Sequence, residues 1–127
     1  MSKIKPITAI TMGDPAGIGP EIVLQTMLDD QIHACCRPFV IGSRAMLERA
    51  AAILNLSPSY RVISDPAEAR YEQGVIDVLE TGSYDTDSIE WGKVQQLAGQ
   101  MAIDWIMKSI ELGMAGKVDA VSTAPIH

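Results

Sequence analysis

Apolar residues in this chain occur in two patterns that take turns: short continuous runs, and longer stretches in which they recur at three- and four-residue intervals. The first run, IKPITAITM at 4–12, reads as a buried strand, with Pro6 near its start where a missing N–H is tolerated. After Pro20, the stretch EIVLQTML carries Ile22, Val23, Leu24, Met27 and Leu28, so a largely buried helix is expected with Pro20 in its first turn. RPFVIG at 37–42 is the second strand, and Ser43 is the expected N-cap of the helix RAMLERAAAILNL, whose Leu47, Ala50, Ala51 and Leu54 keep helical spacing. YRVI at 60–63 is a third strand, DPAEAR a loop or short helix, and VIDVLE at 75–80 a fourth strand. The polar run TGSYDTDSIEWG at 81–92 is the longest loop candidate.

The strongest helical pattern runs from Lys93 to about Leu112. Val94, Leu97, Ala98, Met101, Ala102 and Trp105 mark one face, and Ile103, Met107 and Ile110 a second apolar edge. Such a helix is covered on more than one side, by a subunit contact or by burial between layers. Gly113 and Gly116 are expected to end it, and VDAVS at 118–122 is a last apolar strand before TAPIH. Strands alternating with helices predict a layered α/β/α fold with a mainly parallel sheet.

Composition narrows the functional classes. A chain of 127 residues fits one small domain, and 47% hydrophobic with 20% charged residues is ordinary globular composition. The net charge of −6, with scattered positive residues, argues against a nucleic-acid partner. The N-terminal MSKIKPITAITM lacks the features of a signal peptide, and no stretch reaches the roughly 18 apolar residues of a membrane span, so a cytoplasmic protein with no membrane partner is expected. Adjacent Cys35 and Cys36 read as reduced thiols, since neighbouring Cα atoms sit closer than disulfide geometry favours.

The candidate chemistry lies in TMGDPAGIGPEI at 11–22, directly behind the first strand. A glycine-rich strand-to-helix loop brings backbone N–H groups close to a ligand, and a helix N-terminus favours negative charge there. Gly13, Gly17 and Gly19 fit neither G-x-G-x-x-G nor the P-loop pattern. A second reading of the same residues is a tight turn braced by Asp14, with Glu21 complementing the helix dipole. Spacing alone leaves both open.

The string MGDPAGIGPE resembles the N-terminal signature of the 4-hydroxythreonine-4-phosphate dehydrogenase family of vitamin B6 biosynthesis, and GIGPE is similar to the turn of isocitrate and isopropylmalate dehydrogenases. FVIGSRAMLERAA, GKVQQLAGQMAIDWI and GKVDAVSTAPIH resemble later family segments in the same order, so the similarity runs over essentially the whole chain. The resemblance implies the N-terminal part of a larger two-domain, isocitrate/isopropylmalate dehydrogenase-like fold in a homodimer that uses NAD (or NADP) and a divalent metal. It implies oxidation and decarboxylation of 4-hydroxythreonine 4-phosphate, with threonate or erythronate 4-phosphate as the alternative substrates of a paralogue. By the same analogy Gly13, Asp14, Ala16, Gly17, Ile18 and Gly19 border the cofactor, and Thr123 and His127 lie near the small phosphorylated substrate.

The chain departs from the family in length. Family members hold the metal with three histidines beyond this segment, whereas His33 and His127 are the two histidines here, so no metal ligand is assigned. The family loop is close to Thr-Ala-Pro-Ile-Asn-Lys; this chain reads Thr123, Ala124, Pro125, Ile126, His127, so His127 replaces the asparagine. A truncated product, a proteolytic fragment or an incomplete record is therefore expected, inactive on its own. An α/β binding or dimerisation module is the reading from another class. Catalytic residues remain unassigned.

Overall fold

The first strand, β1 (Ile7–Thr11), sits inside the sheet with a neighbour on each side. The computed structural model describes residues 4–125; His127 lies outside the described residues, so its expected substrate role has no structural counterpart. Five strands, β1, β2 (Arg37–Ile41), β3 (Ser59–Ile63), β4 (Val75–Leu79) and β5 (Ala120–Thr123), form one sheet in the order β3-β4-β2-β1-β5. Every pairing is parallel, with Ile7 opposite Arg37 and Thr11 opposite both Ile41 and Thr123. The expected α/β class with a parallel sheet is what the chain adopts.

Among the described residues four α-helices connect the strands: α1 (Gly19–Met27), α2 (Asp30–Cys35), α3 (Arg44–Ile53) and α4 (Gln96–Met114). The steps β1 to β2 and β2 to β3 run one way across the sheet and β4 to β5 the other. Right-handed crossovers therefore place α1 and α3 on one face and α4 on the opposite face. The contacts agree, since α1 packs on α3 while α4 packs on β1, β2 and β5. Trp105, Phe39, Met12, Leu24 and Met101 are fully buried between these layers.

Local signals account for most boundaries. Pro20 occupies the first turn of α1, and the Ser43 hydroxyl accepts from the Met46 N–H at 3.3 Å at the start of α3. DPAEAR contains a single 3-10 turn, Pro66–Glu68, closed by a capping box between Asp65 and Glu68. Helix α2 is a short element to which the sequence reading assigned no structure; the Asp29 carboxylate caps it by accepting from the Gln31 N–H at 2.8 Å. His33 on α2 is buried, its ring Nε2 2.7 Å from the Met27 carbonyl oxygen, which makes it a packed residue.

Three expectations need correction. Helix α4 begins at Gln96 rather than Lys93, because the Gln95 side chain bonds back to Glu90 and to the Lys93 carbonyl and keeps this segment in a loop. Val94, expected on the buried face, is consequently 74% exposed. Gly113 lies inside α4, and Gly116 alone supplies the left-handed residue (φ 74°): Gly116 N–H donates to Gly113 C=O and Lys117 N–H to Leu112 C=O. Finally, β5 starts two residues later than expected and is exposed along its whole length, because it forms an edge of the sheet among the described residues.

Candidate functional site

In open α/β sheets, ligands bind outside the carboxyl ends of the strands where the direction of winding reverses. Here that point lies between β1 and β5, since the chain leaves β1 toward β2 and returns to β5 on its other side. The loop leaving β1 is the glycine segment, and the loop leaving β5 carries Thr123, Ala124 and Pro125. The fold thus brings together two stretches that are more than a hundred residues apart in sequence.

Backbone hydrogen bonds tie these loops. Asp14 N–H donates to the Pro125 carbonyl at 3.0 Å, Ala124 N–H to the Thr11 carbonyl at 3.1 Å, and Met12 N–H to the Ile41 carbonyl at 3.1 Å. Gly13 has φ 74°, and a Cβ there would overlap the Pro125 carbonyl oxygen. A Cβ on Gly19 would overlap the Met12 carbonyl oxygen. Both glycines are thus required by packing.

Gly17 differs from them. A Cβ there would rest in ordinary contact with Asp14, 3.6 Å away, and its φ is not in the left-handed region. Ile18 beside it is 59% exposed, and as the N-cap of α1 it offers no side-chain hydrogen bond to the helix end. Gly17 is half-buried, with its N–H donating to the Asp14 carbonyl at 3.1 Å, while Asp14 and Ala16 are buried. Asp14 Oδ1 accepts from Ala16 N–H at 2.9 Å, and the Ala16 carbonyl accepts from Gly92 N–H at 2.6 Å, so the long loop before α4 props the glycine segment. Thr123 is exposed at the end of β5 and pairs in register with Thr11.

Two polar concavities lie farther along the same carboxyl edge. One of about 330 Å³ is lined by Gly42, Ser43, Glu80, Ser83, Tyr84 and Thr86. The Glu80 carboxylate accepts from Arg44 N–H there at 2.9 Å, so it already complements the start of α3. The other, about 470 Å³, is lined by Ser64, Glu80, Thr81, Asp104, Lys108 and Glu111 among others. Between them, Tyr84 donates to Asp104 at 2.8 Å. Burial raises the Tyr84 phenol above its ordinary pKa; the Thr81 hydrogen bond opposes this and Asp104 reinforces it.

A divalent metal has no set of ligands to hold it here. Among the described residues no three His, Cys, Asp or Glu side chains converge. The buried Asp77 accepts from Arg61 at 3.0 Å and from the N–H groups of Arg70 and Tyr71, which uses it structurally. No helix among the described residues is long and apolar enough to cross a membrane.

Comparison with known proteins places these features in a family. The chain is 40% identical over 123 residues to a Symbiobacterium thermophilum protein provisionally named D-threonate 4-phosphate dehydrogenase, covering 97% of this chain and 37% of the relative. A Fusobacterium nucleatum protein of the same name is 40% identical over 119 residues, covering 94% and 36%. The crystal structure of a 4-hydroxythreonine-4-phosphate dehydrogenase from Burkholderia phymatum superposes with TM-score 0.93 at 41% identity, over 98% of this chain and 38% of that one. The chain therefore spans little more than a third of the length of the relatives it matches. The profile of the family described as pyridoxal phosphate biosynthetic protein PdxA matches residues 34–127; the glycine segment falls outside that match and inside the pairwise alignments. On these grounds the chain belongs to the PdxA family of dehydrogenases.

Proposed function

We propose that this chain is the N-terminal portion of an NAD-dependent, divalent-metal-dependent dehydrogenase that oxidises a four-carbon hydroxy acid bearing a terminal phosphate and then releases carbon dioxide. The observation that carries the reading is the junction of the glycine segment with the Thr123–Pro125 loop at the winding reversal, in a chain of this family. NAD, when bound, supplies the acceptor for the hydride leaving the oxidised carbon. In this arrangement Gly13 and Gly19 fix the turn, Asp14 and Ala16 brace it, and the half-buried Gly17 and exposed Ile18 border a bound dinucleotide at the start of α1. Thr123 stands ready to donate its hydroxyl to an anionic substrate group.

In this reading the metal ligands lie in the longer protein outside the matched segment, since among the described residues no three potential ligands converge, and no step through the metal is assigned to these residues. The 127-residue chain alone is therefore inactive in this account, and the active form is a homodimer of the longer protein. The first substrate reading is 4-hydroxythreonine 4-phosphate, the name carried by the solved Burkholderia relative. The names of the curated relatives favour D-threonate 4-phosphate, which differs in bearing a hydroxyl instead of an amine at the second carbon.

The test is a chimera in which residues 1–125 replace the matching segment of the Burkholderia protein, assayed for NADH formation with each substrate and a divalent metal. Metal-dependent NADH formation supports the reading. A soluble, folded chimera that reduces NAD with neither substrate overturns it.

A further inference from the structure

The loop before α4 reaches the glycine segment through one short backbone hydrogen bond, from Gly92 N–H to the Ala16 carbonyl at 2.6 Å. Gly92 cannot hold itself there by packing, since it is exposed and a Cβ on it would meet only open space. The hold comes from the residues just before it. Ile89 is buried in the core, and its carbonyl accepts from Nη1 of Arg49, on α3, at 2.8 Å. The same guanidinium lies 5.1 Å over the ring of Trp91. One side chain therefore grips this segment twice, by a charge-assisted hydrogen bond at residue 89 and a cation–π contact at residue 91. Between them, Glu90 exchanges two hydrogen bonds with the Gln95 side chain, its N–H donating at 2.9 Å and its carbonyl accepting at 2.7 Å.

What this grip controls is a single peptide unit. The Ala16 carbonyl and the Gly17 N–H belong to the same peptide plane; the carbonyl is held by Gly92 and the N–H by the Asp14 carbonyl at 3.1 Å. Gly17 has no Cβ to limit rotation and lies in no close contact, so the orientation of that plane depends on its two hydrogen bonds. The plane in turn sets the direction in which the chain enters α1 through Ile18. From this chain of contacts we propose that Arg49 is a positioning residue for the cofactor: through Ile89, Trp91 and Gly92 it locks the Ala16–Gly17 peptide in the orientation that receives NAD, without touching NAD itself. The proposal rests on the reading that Gly17 and Ile18 border the dinucleotide. A guanidinium suits the task because its planar fork can donate to a carbonyl while its face lies on an aromatic ring, which a lysine ammonium does less well.

Arg49→Met, which keeps an unbranched apolar stem and removes the charge and the donors, tests this with two readouts. In the 127-residue chain without ligand, hydrogen exchange at the Gly17 and Gly92 amides quickens about tenfold, the order expected for losing one charge-assisted hydrogen bond. In the chimera described above, the Kd for NAD measured by calorimetry rises about fivefold or more, while kcat at saturating NAD stays within about twofold. Arg49→Lys restores part of both. Asp29→Ala, which removes the cap of α2, is the control for lost stability: it lowers Tm and leaves both readouts unchanged. Unchanged exchange or an unchanged Kd in Arg49→Met overturns the proposal, as does an equal rise in Kd in Asp29→Ala. Gly17→Val separates this from the underlying reading. If Gly17→Val weakens NAD binding and Arg49→Met does not, the positioning role falls and the reading stands; if neither weakens it, both fall.

Discussion

The backbone N–H of Asp14 donates to the carbonyl of Pro125 at 3.0 Å, fastening the loop that leaves β1 to the loop that leaves β5. Gly13 and Gly19 are the residues whose missing side chains permit this closure, whereas Gly17 has room for a Cβ. Gly13→Ala and Gly19→Ala should each destabilise by about 2 kcal/mol or more, from positive φ at the first and backbone overlap at both. Gly17→Ala should lie within about 0.5 kcal/mol of the parent. Urea denaturation of the three variants checks the ordering.

Two glycines three positions apart at the C-terminal end of α4, one inside the helix and one just past it, should respond with opposite signs. Gly113 is an interior helical residue with open space around its Cβ position, so in the 127-residue chain Gly113→Ala should stabilise by about 0.5–1 kcal/mol. Gly116 holds φ 74° in the turn that ends the helix, so Gly116→Ala should cost about 1 kcal/mol. Thermal melts of the two single variants decide it.

Asp77, on β4, is 1% exposed and is neutralised by Arg61, with further hydrogen bonds from the backbone of Arg70 and Tyr71. Asp77→Ala leaves Arg61 and two N–H groups without their acceptor and should cost about 2–4 kcal/mol. A denaturation midpoint unchanged from the parent would count against this role.

Lys117, just past α4, bonds to Asp65, which caps the 3-10 turn. The Lys117 hydrogen bond, and then that of Ala67, holds the Asp65 carboxyl below its ordinary pKa of 3.8; Asp65 in turn raises Lys117 above 10.5. The depressed acid stabilises the fold above its unfolded pKa and loses that contribution as pH falls through the folded value. The raised amine stabilises below its unfolded pKa and loses it as pH rises through the folded one. The link is therefore intact from about pH 4 to about pH 10. In a pH series of melts, the Tm difference between the parent and Lys117→Met should be small and flat across this window and should vanish in stronger acid.

The strand–helix alternation, the parallel sheet and the caps at Pro20 and Ser43 were legible in the sequence because each is set by residues close together in the chain. Helix α2 was legible in principle, since Asp29 is a good N-cap, but six residues give too short a period to stand out. The late start of α4 depends on Gln95 reaching back to Glu90, a side-chain choice that hydrophobic spacing does not register. The exposure of β5 was hidden because an apolar strand reads alike whether or not a neighbour covers it. In the glycine segment, composition announced a tight turn, but which glycine is indispensable depends on Pro125 and Met12, and Pro125 is over a hundred residues away in sequence.

The central claim is that the Gly17 and Ile18 side of the glycine segment meets the cofactor, and Gly17→Val in the chimera tests it most directly. Steady-state kinetics with NAD varied should show KM for NAD raised about tenfold or more, with a Tm within a few degrees of the parent chimera. An unchanged KM for NAD in a folded, active Gly17→Val chimera would contradict the account.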